Sequence, residues 1–90
     1  MLTPVYPKQM LKDIALCVKR GYEMALLENI VLLLIEGKPL PYNCRPHKLT
    51  GNFAGHWECH IKPDWLLIYK YDEANRRIIF EATGTHADLF

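Results

Sequence analysis

From Lys8 to Arg20 the apolar residues Leu11, Ile14, Cys17 and Val18 recur at helical spacing, with Lys12 and Lys19 turned outward. Gly21 follows the Lys19-Arg20 pair. Cations in a last turn suit the helix dipole and a glycine accepts a left-handed conformation, so a helix is predicted to stop there. A second helix is predicted over Glu23–Glu36, closed by Gly37-Lys38-Pro39. Its Leu26, Leu27, Ile30, Val31, Leu33 and Leu34 cover more than half the circumference, which predicts the more buried helix, packed between a sheet and its partner. The two helices make a hairpin.

Beyond Gly55 the period changes from 3.6 to 2. In His56–Ile61 the residues His56, Glu58 and His60 face one way, and Trp57, Cys59 and Ile61 the other. Pro63-Asp64 predicts a tight connection, Trp65–Tyr71 a dense strand, Asp72–Asn75 a polar turn and Arg77–Thr83 a third strand. Gly84 ends it, leaving 85–90 as a short tail. Met1–Tyr6, restricted by Pro4 and neighbouring Pro7, reads as an edge strand or extended arm. Three prolines make Lys38–Thr50 irregular. The fold class is therefore α+β in a single domain over 1–90: an N-terminal strand, then a two-helix hairpin packed on a small antiparallel sheet.

Composition narrows the function. Ninety residues allow one modest core. Eleven Lys+Arg against ten Asp+Glu leave a net charge of +1, so any nucleic-acid contact comes from local patches and not from a strongly basic surface. The chain is too short for a dinucleotide-binding or barrel enzyme. The longest apolar stretch, Ile30 to Ile35, is six residues against the ~20 of a membrane span. Cys17, Cys44 and Cys59 cannot all pair, and no leader pattern opens the sequence, which reads as a reduced, cytoplasmic protein without a membrane partner.

The four histidines, His47, His56, His60 and His86, all lie in the second half. His60 sits on the polar face of its strand with Asp64 just past the following turn, so the two can approach each other. His47 and His86 fall at element ends where a polar cluster can converge. Imidazoles beside a carboxylate supply a proton acceptor and a proton donor near neutral pH. Scattered histidines at loop ends are the plain alternative. Cys44-x-x-His47 and His56-x-x-Cys59 have the composition of a zinc site. The strand pattern opposes it, because His56 and Cys59 point to opposite faces. Trp57, Trp65, Tyr69, Tyr71 and Phe80 read as packing, and Lys48, Lys62, Lys70, Arg76 and Arg77 as a solvated face able to meet phosphates.

Two blocks carry a family resemblance: His60-Ile-Lys-Pro-Asp-Trp-Leu-Leu-Ile-Tyr-Lys70 and the ending Thr83-Gly-Thr-His-Ala-Asp-Leu-Phe90. With His47-Lys-Leu-Thr-Gly51 between helices and strands, the whole chain resembles the YafQ group of RelE-like bacterial toxins. The resemblance implies a type II toxin that cuts mRNA on the ribosome without a cofactor and is silenced by a cognate antitoxin. DNA is met only through the antitoxin complex. His47, His60, Asp64 and His86 match the acid–base residues of that pattern, and Phe90 a terminal aromatic that positions RNA. Lys48 and Lys62 are candidate RNA contacts. Cleavage then needs a base for the 2′-hydroxyl proton and an acid for the leaving 5′-oxygen. His86 is expected to be the acid, with Asp64 and His60 or His47 on the base side.

The chain departs from the pattern twice. The family commonly reads Glu-Arg-Thr-Gly-Thr-His where Glu81-Ala82-Thr-Gly-Thr-His86 stands here, and an arginine where Trp57 stands. The missing arginine at Ala82 would clamp phosphate. Two explanations fit: a naturally weak member, or an arginine replaced by alanine to tame a toxic product, which the otherwise intact site favours. Two functions follow from the resemblance. One is a ribosome-dependent endoribonuclease attenuated at Ala82, and the other an antitoxin-binding subunit of an autorepressor complex.

Overall fold

Both helices stop where the sequence signals it. The first, α1 (Lys8–Lys19), and the second, α2 (Met24–Glu36), each end in a glycine at positive φ, Gly21 at 78° and Gly37 at 69°. Tyr22 N–H donates to the Cys17 carbonyl and Gly21 N–H to that of Val18; Lys38 to Leu33 and Gly37 to Leu34 repeat the arrangement. These paired bonds satisfy carbonyls that the helix itself leaves open.

The computed structural model describes residues 1–90. Strands β1 (Thr3–Val5), β2 (His47–Lys48), β3 (Trp57–Lys62), β4 (Trp65–Asp72) and β5 (Arg77–Gly84) form one sheet in the order β1-β5-β4-β3-β2, and a last short helix, α3, spans His86–Leu89. The α+β class and the three central antiparallel strands are as the alternation predicts. The sheet itself is mixed: β1 runs parallel to β5, with Thr3 opposite Arg77 and Val5 opposite Ile79. Two further elements were not foreseen. His47–Lys48 is a strand at the far edge, and the C-terminal tail coils into α3 behind a capping box, in which Thr85 and Asp88 satisfy each other's backbone N–H.

The helices cover one face of the sheet. Met10, Cys17, Leu27, Ile30 and Leu34 pack there on Cys59, Ile61, Trp65, Leu67, Tyr69, Ile78 and Phe80. The stripe on α1 is rotated from the predicted one. Met10 and Cys17 are fully buried, while Leu11 and Val18 are more than half exposed and Leu11 lines an open groove between the helices. The facing sheet selects Met10-Ile14-Cys17, one of two apolar rows available on the helix. On α2, Leu27, Ile30 and Leu34 are buried but Leu32 is 53% exposed, so that helix has one free face.

Phe80 is wholly buried in the central sheet and stacked on Tyr6 at 5.5 Å between centroids. Phe80→Ala is expected to cost about 3–5 kcal/mol, a large share of the ~5–15 kcal/mol holding a native domain together. Urea denaturation followed by tryptophan fluorescence measures it.

Candidate active site

The face of the sheet opposite the helices carries the polar side chains. Alternation along β3 puts Glu58 and His60 on it, and the β2–β3 register sets His47 directly opposite Glu58. Pro63-Asp64 makes the β3–β4 turn. Pairing of Leu66 with Gly84 brings the end of β5, and with it His86, back to that turn. Three imidazoles from three segments therefore converge. The His60 ring centroid lies 6.0 Å from that of His86 and 6.3 Å from that of His47.

Two carboxylates orient them. Asp64 Oδ1 accepts from His86 twice, from the backbone N–H at 2.9 Å and from ring Nδ1 at 2.6 Å. Those bonds, the backbone one foremost, hold the Asp64 carboxyl below the usual carboxylate range. A depressed carboxyl stabilises the fold above its ordinary pKa and loses that contribution as pH falls through the folded value. Asp64 is thus an ionised acceptor at neutral pH. Nδ1 of His86 carries the proton, and Nε2 is left to exchange one with a substrate. Both side chains are more than half exposed, so substrate can reach them.

Glu58 is the second carboxylate, and it is buried, with 7% of its side chain exposed. Its Oε1 lies 3.3 Å from His47 Nε2 and 3.9 Å from His60 Nε2. His47 Nδ1 faces the Arg45 carbonyl at 3.1 Å, so both its nitrogens look onto acceptors. Glu58 shares a strand face with His60 two residues away, a signal visible in the sequence but not used there. Arg45 carries no such signal. It sits at φ 45°, where non-glycine residues are uncommon, and with Lys62, Asn43 and Pro63 it walls a hollow of about 380 Å³ beside His60.

The bonded partner of Asp64 is His86, because the β4–β5 register carries the C-terminal histidine onto the turn, and the His60 ring lies beside that pair, 6.0 Å from that of His86. Lys48 does not join the cluster. It alternates away from His47, and its ammonium lies 5.6 Å from the centre of the Trp57 ring. Lys62 lies at the end of β3 next to His60. Phe90 is 62% exposed and meets Phe53 edge-on at 5.6 Å. The four residues of the zinc reading do not converge, because Cys44 and Cys59 are in the helix-side core while His56 and His47 are on the other face. Trp65, Tyr69 and Phe80 are core, as their pattern predicts.

Ala82 owes its direction to a bulge. Ile68 pairs with Ala82 but Tyr69 with Phe80, so Glu81 is the extra residue. Ala82 is 8% exposed and opens onto a hollow of about 280 Å³ shared with Asp13, Phe53, Glu81 and Asp88. Glu81 itself lies 3.5 Å from His56 Nε2 and 3.4 Å from Lys70 Nζ.

Comparison with known proteins places the chain in a family. Residues 2–90 match the family described as the bacterial toxin of the type II toxin–antitoxin system, YafQ. The mRNA interferase toxin YafQ of Escherichia coli K12 is 43% identical over 86 residues, covering 94% of this chain and 91% of that protein. A metal-bound toxin from Helicobacter pylori superposes with a TM-score of 0.94 at 34% identity, covering 100% of both chains. YafQ in the E. coli DinJ–YafQ complex gives 0.90 at 38% identity, covering 100% of this chain and 99% of that one. With a whole-chain family match, a close sequence relative and the same fold, the chain belongs to the YafQ family of type II toxin–antitoxin toxins.

Proposed function

We propose that this chain is a ribosome-dependent mRNA endoribonuclease working by acid–base chemistry without a metal, and attenuated at Ala82. The observation that carries it is the Asp64–His86 pair with the His60 ring 6.0 Å from that of His86 and the His47 ring 6.3 Å from that of His60. In this reading the base side is His60 or His47, backed by the buried Glu58 carboxylate. The base takes the 2′-hydroxyl proton, the 2′-oxygen attacks phosphorus, and the bond to the 5′-oxygen breaks. His86, entering the step as the imidazolium with Nδ1–H on Asp64, gives that oxygen its Nε2 proton and becomes neutral, leaving a 2′,3′-cyclic phosphate and a 5′-hydroxyl. Asp64 moves from the base side to the support of His86, since it is ionised and already bonded there twice.

Lys62 and Arg45 supply positive charge beside His60, and Phe90 offers an exposed ring for a base. Lys48, on the other face, is left out of this contact set. A near-neutral chain fits an enzyme whose substrate the ribosome holds in place. The antitoxin partner is supported by the solved DinJ–YafQ relative and by apolar surface left open along α1 and α2, including Leu11, Val18 and Leu32. DNA is reached through that antitoxin. The second reading, a catalytically weak antitoxin-binding subunit of an autorepressor, rests on Ala82 alone.

Incubating the purified chain with mRNA, with and without programmed ribosomes and with and without a transition-metal chelator that leaves the ribosomal magnesium in place, tests the main reading. Cleavage only with ribosomes and unchanged by chelator is the expected result. Cleavage of free RNA overturns ribosome dependence, and loss in chelator overturns metal-free chemistry, a pointed comparison given the metal-bound relative.

A further inference from the structure

His86 stands on an element with little reason to exist alone. Its helix α3 has four residues, none buried, at the end of the chain. A single turn of helix is unstable in water because nucleation costs more than one turn returns. Asp64 holds the His86 end of α3 through two bonds, but both of those side chains are more than half exposed.

A second carboxylate ties α3 to the rest of the fold. Asp88 Oδ2 accepts from the Thr85 backbone N–H at 2.9 Å, and Asp88 N–H donates to Thr85 Oγ1 at 3.1 Å, closing the capping box around His86. The same carboxylate takes both arms of the Arg20 guanidinium, Nη1 to Oδ2 at 2.6 Å and Nη2 to Oδ1 at 3.0 Å. Such bidentate pairs fix direction as well as distance. Arg20 caps the C-terminal end of α1, which is held to the core through Cys17. Gly84 makes room for the fold-back: a Cβ there would stand 2.8 Å from Asp88 Oδ2. Arg20 keeps the Asp88 carboxyl far below its ordinary range, so the pair stays charged at neutral pH.

We infer that Arg20 and Asp88 form a clamp that fixes His86 against Asp64 and His60 by tying α3 to the end of α1. They are positioning residues, since neither touches the proposed reacting atoms. The functional part of the inference rests on the endoribonuclease reading; the structural part does not.

The test uses Asp88→Asn, Arg20→Gln and the double variant of the full chain. The His86 backbone N–H, which donates to Asp64, is expected to exchange with solvent about tenfold faster in each. The melting temperature should fall by under ~8 °C, as for one partly exposed ion pair in a small domain. On programmed ribosomes the cleavage rate constant should drop by up to about a hundredfold with the KM for mRNA unchanged, the pattern of a misplaced group and not a lost contact. The double variant should be no worse than either single one, and Arg20→Lys should recover part of the rate. Unchanged His86 exchange overturns the clamp. Faster exchange with an unchanged cleavage rate overturns its catalytic role. If the parent chain cuts nothing, the endoribonuclease reading fails, and the exchange measurement still decides the clamp.

Discussion

Replacing His86 by alanine is expected to slow mRNA cleavage by about 10²–10⁴-fold, the usual contribution of one placed acid–base group. The loss should fall on the cleavage step. Nδ1 of His86 is committed to an ionised Asp64, so Nε2 is the nitrogen that can hand over a proton, and alanine leaves nothing in its place. The fold should persist, because His86 is exposed, α3 buries no residue and the Arg20–Asp88 pair does not involve the imidazole. The measurement is a single-turnover cleavage assay on programmed ribosomes beside a thermal melt. Full cleavage by a folded His86→Ala chain would sink the acid assignment, and with it the role given to Asp64. His60→Ala and Glu58→Gln then separate the base side: loss at His60 with a smaller loss at Glu58 identifies the imidazole as the acceptor and the buried carboxylate as its support.

The parts of this site legible in the sequence are those set by local periodicity. Alternation along one strand places His60 on the polar face, and the same rule, applied two residues back, yields Glu58. The glycine stops of both helices are equally local, and both are where the sequence puts them. The partner of Asp64 was not legible, because it depends on which residue of β5 lies opposite Leu66, a matter of register between strands. The bulge at Glu81 is invisible for the same reason, yet it decides where Ala82 points. On α1, two apolar rows compete, and only the sheet beneath chooses the one containing Met10. Placement at element ends offers His47 and His86 as site residues and the family resemblance gives them acid–base roles; the structure adds what orients each, Glu58 and the Arg45 carbonyl for one and Asp64 for the other. Arg45 had no signal of its own in a proline-rich segment.

Ala82→Arg is expected to raise cleavage by about 10²–10³-fold, the effect typical of one group stabilising charge in the transition state. The hollow in front of Ala82, about 280 Å³, has room for the longer side chain, and Asp13, Glu81 and Asp88 around it are acidic. Those carboxylates are already engaged. Asp88 is held by Arg20, Glu81 lies beside Lys70 and His56, and Asp13 accepts from Gln9 and from the Thr83 backbone N–H. Asp13 and Asp88 have both oxygens engaged, so an added guanidinium is drawn to that side of the cleft by their charge with its own N–H groups available to a phosphate. Antitoxin binding should not change, since none of the exposed apolar residues Leu11, Val18 and Leu32 lines the hollow in front of Ala82. Parallel cleavage and antitoxin titrations of the two chains give the comparison. A faster variant with equal antitoxin affinity makes the present chain an attenuated nuclease whose remaining strength is in binding. A folded variant that is no faster leaves Arg45 and Lys62 beside His60 as the cations to examine, and Arg45→Ala then tells which side of the cleft carries the phosphate. Loss of residual cleavage in Arg45→Ala assigns that work to the loop; no further loss removes the phosphate-clamp argument, leaving the antitoxin-binding reading as the function of the chain.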